Sequence, residues 1–172
     1  AIIIDHFFCL GSVYLEKTAR KGQATVFNAA LEVTNYNEVR EIRPEAVKTY
    51  DRRSELFRRY TAERKPHIVF SDKVVKLSKE IAGDEKNPYL IAKRIFSWVS
   101  ENIPWAGARE YSTIGNISDY GLTNRHGDCG IQTLVFMTLA RYSGIPAKWQ
   151  SGWMLHPGKV NLHDWCEIYL DG

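Results

Sequence analysis

Three observations predict an α+β fold, in which a helical part containing a cysteine-started helix packs on an antiparallel β-sheet behind a β-rich N-terminal extension. From Ser71 to Pro104, and again from Asp128 to Pro146, apolar residues recur at helical spacing between recognisable caps. From Ala147 to Leu170 they alternate with period two on either side of a Pro-Gly pair, the mark of a hairpin. Before residue 66, alternating runs and a turn signal read as strands. At 172 residues, with 44% apolar and 25% charged content, the chain is long enough to bury one core and a small appendage.

The opening AIIIDHFFCLGSVYL has scattered apolar residues, an acid at Asp5 and no basic leader. It fits a strand better than a signal peptide or a membrane span. An export signal, if the protein uses one, would already have been removed, which leaves a periplasmic or extracellular location open. Residues 23–50 alternate imperfectly about a turn signal at Asn35 to Asn37 and predict a hairpin. Residues 51–65 carry Arg52, Arg53, Arg58, Arg59, Arg64 and Lys65. With Leu56, Phe57 and Tyr60 packed inward, they predict a helix with a solvated basic side in preference to a nucleic-acid or membrane surface. Pro66 ends this region, so an extension is assigned to residues 1–66 and the core to 67–172.

Ser71 or Asp72 can cap a helix whose inner face is Val74, Leu77, Ser78 and Ile81, with Gly83 as terminator. Asn87-Pro88 opens the next helix, because a first-turn proline lacks only an N–H that would have no acceptor there. Its inner stripe is Ile91, Ile95, Trp98 and Val99, and Pro104 ends it. Residues 105–125 show no sustained period and several glycines, which predicts a long loop lining a cleft. Asp128 can then cap an amphipathic helix from Cys129, with Ile131, Leu134, Val135, Thr138, Leu139 and Tyr142 on one face, until Gly144 and Pro146 stop it. AKWQSGWML and LHDWCEIYL, joined by a six-residue loop HPGKVN, complete the hairpin. Side chains two apart share a strand face. His163, Trp165, Glu167 and Tyr169 are therefore expected toward the helix or the cleft, and Asp164, Cys166, Ile168 and Leu170 toward the core.

A cysteine in a first helical turn sits at the positive end of the helix dipole, and a nearby imidazolium favours its thiolate further. Cys129 followed by His163 on a strand is thus the order that thiol acyl transfer needs, nucleophile and then base. Cys9 and Cys166 read as core packing, and His6, His67 and His156 as surface or loop residues. Three cysteines with no Cys-x-x-Cys pair make no disulfide framework. A net charge of +3 does not call for a nucleic-acid partner. The rival class is a structural zinc centre built from His126 with Cys129 and His163 with Cys166. Residues three apart on a regular strand face opposite sides, so His163 and Cys166 could not both reach one ion without a bulge. No cofactor and no metal is expected.

The stretch HGDCGIQTLVFMTLARYSGIPAKWQSGW, followed by HDWCEIYL, resembles the core of the transglutaminase-like superfamily. The matching features are G-D-C at a helix start, closure of that helix on GIPA, a strand ending in Gly152-Trp153, and H-x-W-x-E-x-Y on the next strand. NPYLIAKRIFSWVSENIPW is similar to the helix that precedes the core in bacterial members. The resemblance spans residues 67–172 and implies a papain-like fold with Cys129 as nucleophile and His163 as base. It further implies a cysteine peptidase or amidase, in preference to a protein crosslinker, acting on a peptide or protein substrate. Trp105, Trp149, Trp153 and Trp165 are the candidate substrate-cleft residues. In the family an Asp on the strand after H-x-W orients the histidine. Asp171 would lie roughly 26 Å from His163 along an extended strand, and Asp164 is expected on the opposite face. Three readings stay open: a core whose sequence continues past Gly172, a Cys-His dyad enzyme, or a binding module that kept the fold and lost the activity.

Overall fold

The computed structural model describes residues 2–5, 10–30, 32, 34 and 41–171. They fall into two units, residues 1–40 and 41–172. In the first, β1 (Ile2–Asp5) pairs antiparallel with β2 (Leu10–Val13), Ile2 opposite Val13 and Asp5 opposite Leu10. Residues 14–30 follow as exposed coil, in which the Lys17 ammonium donates to the Val26 carbonyl and lies 5.7 Å from the Phe27 ring centre. The turn of the hairpin expected about Asn35 to Asn37 lies outside the described residues. Its described flanks, 23–30 and 41–50, hold no strand and only a 3-10 turn at Pro44–Ala46. Their alternation is too imperfect to bury a face, and a hairpin without one is marginal in water.

The second unit is built around one helix, α5 (Cys129–Tyr142). Against it pack α2 (Asp72–Ala82), α3 (Pro88–Asn102), α4 (Ile117–Asn124) and the hairpin of β3 (Ala147–His156) with β4 (Lys159–Ile168). The expected face of α5 is buried at Ile131, Leu134, Val135, Thr138 and Leu139, but so are Thr133, Met137, Ala140 and Arg141 around the rest of it. A helix buried around most of its circumference is a core helix, so the one-sided reading is corrected. Its end is a Schellman motif: the Ile145 N–H donates to the Ala140 carbonyl at 2.9 Å and the Gly144 N–H to the Arg141 carbonyl at 3.0 Å, with Gly144 at φ 78°. Arg141 is buried, and its guanidinium donates twice to the Ala147 carbonyl and once to the Ala62 carbonyl, at 2.8 Å, just past α1 (Glu55–Thr61). Burial, with Arg64 adding to it, lowers its pKa to about 10, which leaves it charged at neutral pH.

The caps of α2 and α3 stand where the sequence puts them. The Ser71 hydroxyl accepts from the Val74 N–H, Gly83 closes α2 at φ 55°, and the Asn87 side chain accepts from the Tyr89 and Leu90 N–H groups. Residues 105–125 differ from the expected loop, for they contain a 3-10 turn at Tyr111–Thr113 and then α4, capped by Asn116. An eight-residue helix with a glycine in it offers little periodicity to read. Gly121 is there for approach: a methyl at that position would stand 2.6 Å from Val135 Cγ2 and 2.9 Å from Ile131 Cγ2 on α5.

In α1, Phe57 and Tyr60 are half-buried while Leu56 is exposed, so its inner face is narrower than expected. Residues 41–66 bond to the end of the chain, Lys48 N–H to the Asp171 carbonyl and the Tyr50 hydroxyl to the Tyr169 carbonyl at 2.7 Å. β3 and β4 pair from Ala147 with Ile168 to His156 with Lys159. The six-residue loop expected between them is therefore a two-residue Pro157-Gly158 turn, Gly158 taking φ 76°. Proline presets the first corner and glycine accepts the second, which frees the flanking residues to extend the ladder.

Candidate active site

The start of α5 is held by a shared carboxylate. Asp128 Oδ1 accepts from the Ile131 N–H at 3.0 Å and from the Tyr111 hydroxyl at 2.5 Å, which ties the 3-10 turn to the helix cap. Burial first, then that hydrogen bond and the nearby Asp128, Asp164 and Cys129, push the Tyr111 phenol far above its ordinary range, so it remains a donor. Cys129 occupies the first helical position, half-buried. Its N–H and that of Gly130 belong to the first turn, which has no intrahelical acceptors. A Cβ at Gly130 would collide with the Tyr111 hydroxyl and stand 2.9 Å from Asp164 Oδ2, so a side chain there would displace both groups from the helix start.

Facing Cys129 across the cleft is β4. The Cys129 thiol donates to Asp164 Oδ2 at an Sγ–O distance of 3.9 Å, and the Thr133 hydroxyl donates to the Asp164 carbonyl at 3.4 Å. The strand alternates as expected, with Asp164, Cys166 and Ile168 half-buried and His163, Trp165, Glu167 and Tyr169 exposed. The two faces fall as expected, one set toward the core and the other toward the cleft, with the cleft rather than the helix as the destination of His163 and Trp165. The set containing Asp164 is the one packed on α5, and His163 and Trp165 reach the cleft from its solvent side, their ring centres 6.3 Å apart. Asp164, expected on the face opposite His163, is the acid within an otherwise apolar set that meets the thiol. Burial, reinforced by Asp128, raises the Asp164 carboxyl above its ordinary value, and His163 and the Cys129 thiol oppose the shift.

The cleft has a volume of about 380 Å³ and joins Cys129, His163, Asp164 and Trp165 with Phe96 and Phe136. Gln132 also lines it, its amide donating to the Ile103 carbonyl at 2.7 Å. Of the expected substrate tryptophans, only Trp165 is among the lining residues. Trp105 is exposed but sits beside the cysteine helix, because its strand-like bridge to Gly127 places the Ala106 N–H on the Gly127 carbonyl at 2.9 Å. Trp149 packs partly against the core opposite Cys166, and Trp153 is exposed toward the hairpin turn. Gly152 makes room for Trp165, whose ring would lie 3.1 Å from an added Cβ.

Tyr111, Asp164 and Gly130 were not singled out from sequence. The only signal available was Asp164 breaking the apolar set of its strand. Among the described residues no group of three or more His, Cys, Asp or Glu side chains could hold a metal ion. His126 Nδ1 lies 2.9 Å from the Asn124 carbonyl, and His67 and His156 are exposed. His6 and Cys9 lie outside the described residues. No described helix is long and apolar enough to cross a membrane.

Residues 75–172 match the family model described as the transglutaminase-like superfamily. No curated protein matches the chain. Among solved structures, the chain is similar to that of a "putative cysteine protease" from Cytophaga hutchinsonii, with a TM-score of 0.58 and 21% identity. The likeness covers 68% of this chain and 39% of that one, so the chain spans less than half the length of its structural neighbour. At this identity the likeness is one of fold, a papain-like core of helices against an antiparallel hairpin.

Proposed function

Because the chain belongs to the transglutaminase-like superfamily, we propose that it is a cysteine-protease-like enzyme of thiol acyl transfer, a peptidase or amidase with Cys129 as nucleophile and His163 as base. The observation that carries this reading is that Cys129, at a helix start, and His163, on the facing strand, line one cleft. The Cys129 sulfur attacks the carbonyl carbon of an amide while its proton passes to the His163 imidazole. The Cys129 and Gly130 N–H groups, which lack intrahelical acceptors, would hold the oxyanion that forms. Collapse of the tetrahedral intermediate breaks the C–N bond, the leaving amine takes the proton from His163, and a thioester remains on Cys129. Water, deprotonated by His163, then releases the acid; an amine in its place gives transfer.

The test is release of a fluorescent amine from a pool of short peptide amides. Cys129→Ala and His163→Ala should each lower the rate by about 10² or more, since positioned acid-base groups typically contribute that much. Variants that match the unaltered protein would remove the assignment. A second reading, a binding module without turnover, is favoured by the exposure of His163 and by the Asp164 carboxylate standing against the thiol. Peptide binding that survives Cys129→Ala, with no amine released by any form, would select it.

A further inference from the structure

Among the described residues, the lining of the cleft has one carboxylate, Asp164, one imidazole, His163, and no lysine or arginine. Its walls beside Cys129 are apolar and aromatic, chiefly Phe96, Val99, Phe136, Trp165 and Ile168. Within them Asp164 Oδ2 has only the weak thiol contact at 3.9 Å, and no cationic side chain among the described residues forms an ion pair with the group. The neighbouring Asp128, which accepts from the Ile131 N–H and the Tyr111 hydroxyl, adds like charge and no compensation. A half-buried carboxylate whose basic neighbour, the exposed His163 imidazole, forms no ion pair with it is costly, and it stays only where something else compensates. The arrangement suits a cation that arrives with the substrate. An aliphatic stem can lie along Phe96 and Phe136, and its charged end can meet Asp164 and the Trp165 face. The raised pKa of the Asp164 carboxyl agrees with an unpaired, desolvated acid.

We propose that Asp164 is a specificity-determining residue that selects substrates bearing an amine or guanidinium on an aliphatic stem close to the scissile carbonyl. The proposal rests on Cys129 being the reacting atom, as in the function proposed above. Asp164 does not itself take part in bond making. It fixes which charge is welcome within a few ångström of the sulfur.

Three methanethiosulfonates with one reactive group and different tails test this on the intact protein: 2-aminoethyl (cationic), methyl (neutral) and 2-sulfonatoethyl (anionic). In each the Cys129 thiolate attacks the sulfenyl sulfur, an S–S bond forms and methanesulfinate leaves. The readout is the cation-to-anion rate ratio at Cys129, followed by peptide mapping at pH 8 and divided by the same ratio for 2-mercaptoethanol. Any change in thiol ionisation affects all three reagents alike and cancels. The expected ratio is about tenfold or more, the lower end of what a charged cleft achieves. Asp164→Asn should bring it to within about twofold of the reference thiol, and Asp164→Glu should retain most of it. A ratio that Asp164→Asn leaves unchanged, or an unaltered protein indistinguishable from the reference thiol, overturns the proposal. If Asp164→Asn fails to fold, the ratio of the unaltered protein decides alone. The charge ratio does not depend on turnover. A protein that shows it but cleaves no amide would fail the enzyme reading and keep this one, and the reverse result would do the opposite.

Discussion

The two halves of the β3–β4 hairpin differ in what lies beneath them. At the open end Ala147 is buried and Asp164, Cys166 and Ile168 are half-buried against α5, with the Thr133 hydroxyl bonded to the strand. Toward the Pro157-Gly158 turn every residue from His156 to His163 is exposed, including Val160 at 74% and Leu162 at 68%. Alternation continues in the sequence of both halves. Only where a helix lies underneath does it produce a buried face. The change falls between His163 and Asp164, so the border of the packed region runs through the candidate site. One consequence is that Asp164 is fixed by its surroundings while the neighbouring imidazole has solvent on its side.

The largest effect expected from this contrast is chemical. Burial, with Glu167 adding to it, pushes the Cys166 thiol in the packed half up to about 11. A raised thiol pKa means thiolate forms only as pH climbs toward that value, and at pH 7 about one part in 10⁴ is ionised. Iodoacetamide at pH 7, followed by peptide mapping, should therefore label Cys129 before Cys166 by about two orders of magnitude or more. Comparable labelling would mean that the packed half opens freely. Next in size is the anchor of that half. Arg141→Ala removes three hydrogen bonds from a charged donor and leaves the Ala147 and Ala62 carbonyls without it, at a cost of about 3 kcal/mol in urea unfolding. A loss below about 1 kcal/mol would show that packing holds the hairpin without the guanidinium. The smallest effect belongs to the outer half, where Leu162→Thr should change stability by no more than about 0.5 kcal/mol. A larger loss would mean that this end is covered.

The sequence was most legible where a single residue carries the reason for a structure. Ser71, Asn87 with Pro88, and Asp128 are caps whose side chains accept the first free N–H groups, and Gly83 and Gly144 end helices at positive φ. The cysteine at a helix start and the histidine on a later strand could be read in the same way, and the cleft contains both. What stayed hidden depends on partners distant in the chain. α4 is short, and Gly121 in it makes sense only beside Val135 and Ile131. Asp164 looked like a stray polar residue until α5 lay across from it. Tyr111, in a segment without periodicity, is explained by the Asp128 carboxylate 17 residues later. The core face of β4 could be read from its apolar set, but not which element it meets, because period two defines two faces and leaves their neighbours open.

The enclosure of α5 has a consequence for how the nucleophile is assembled. Helices of this length gain little from forming alone in water, and one buried on most of its circumference depends on the elements around it. Its stability is contributed by α2, α3, α4 and the inner hairpin together, so it belongs to the portion of the protein that opens only when the whole core opens. Cys129 is therefore seated on the helix at the centre of the packing, while His163 sits at the edge of the exposed half of its strand. The two partners of one reaction would come into register from opposite ends of the local-stability scale, the sulfur as a fixed reference and the imidazole as the part that adjusts.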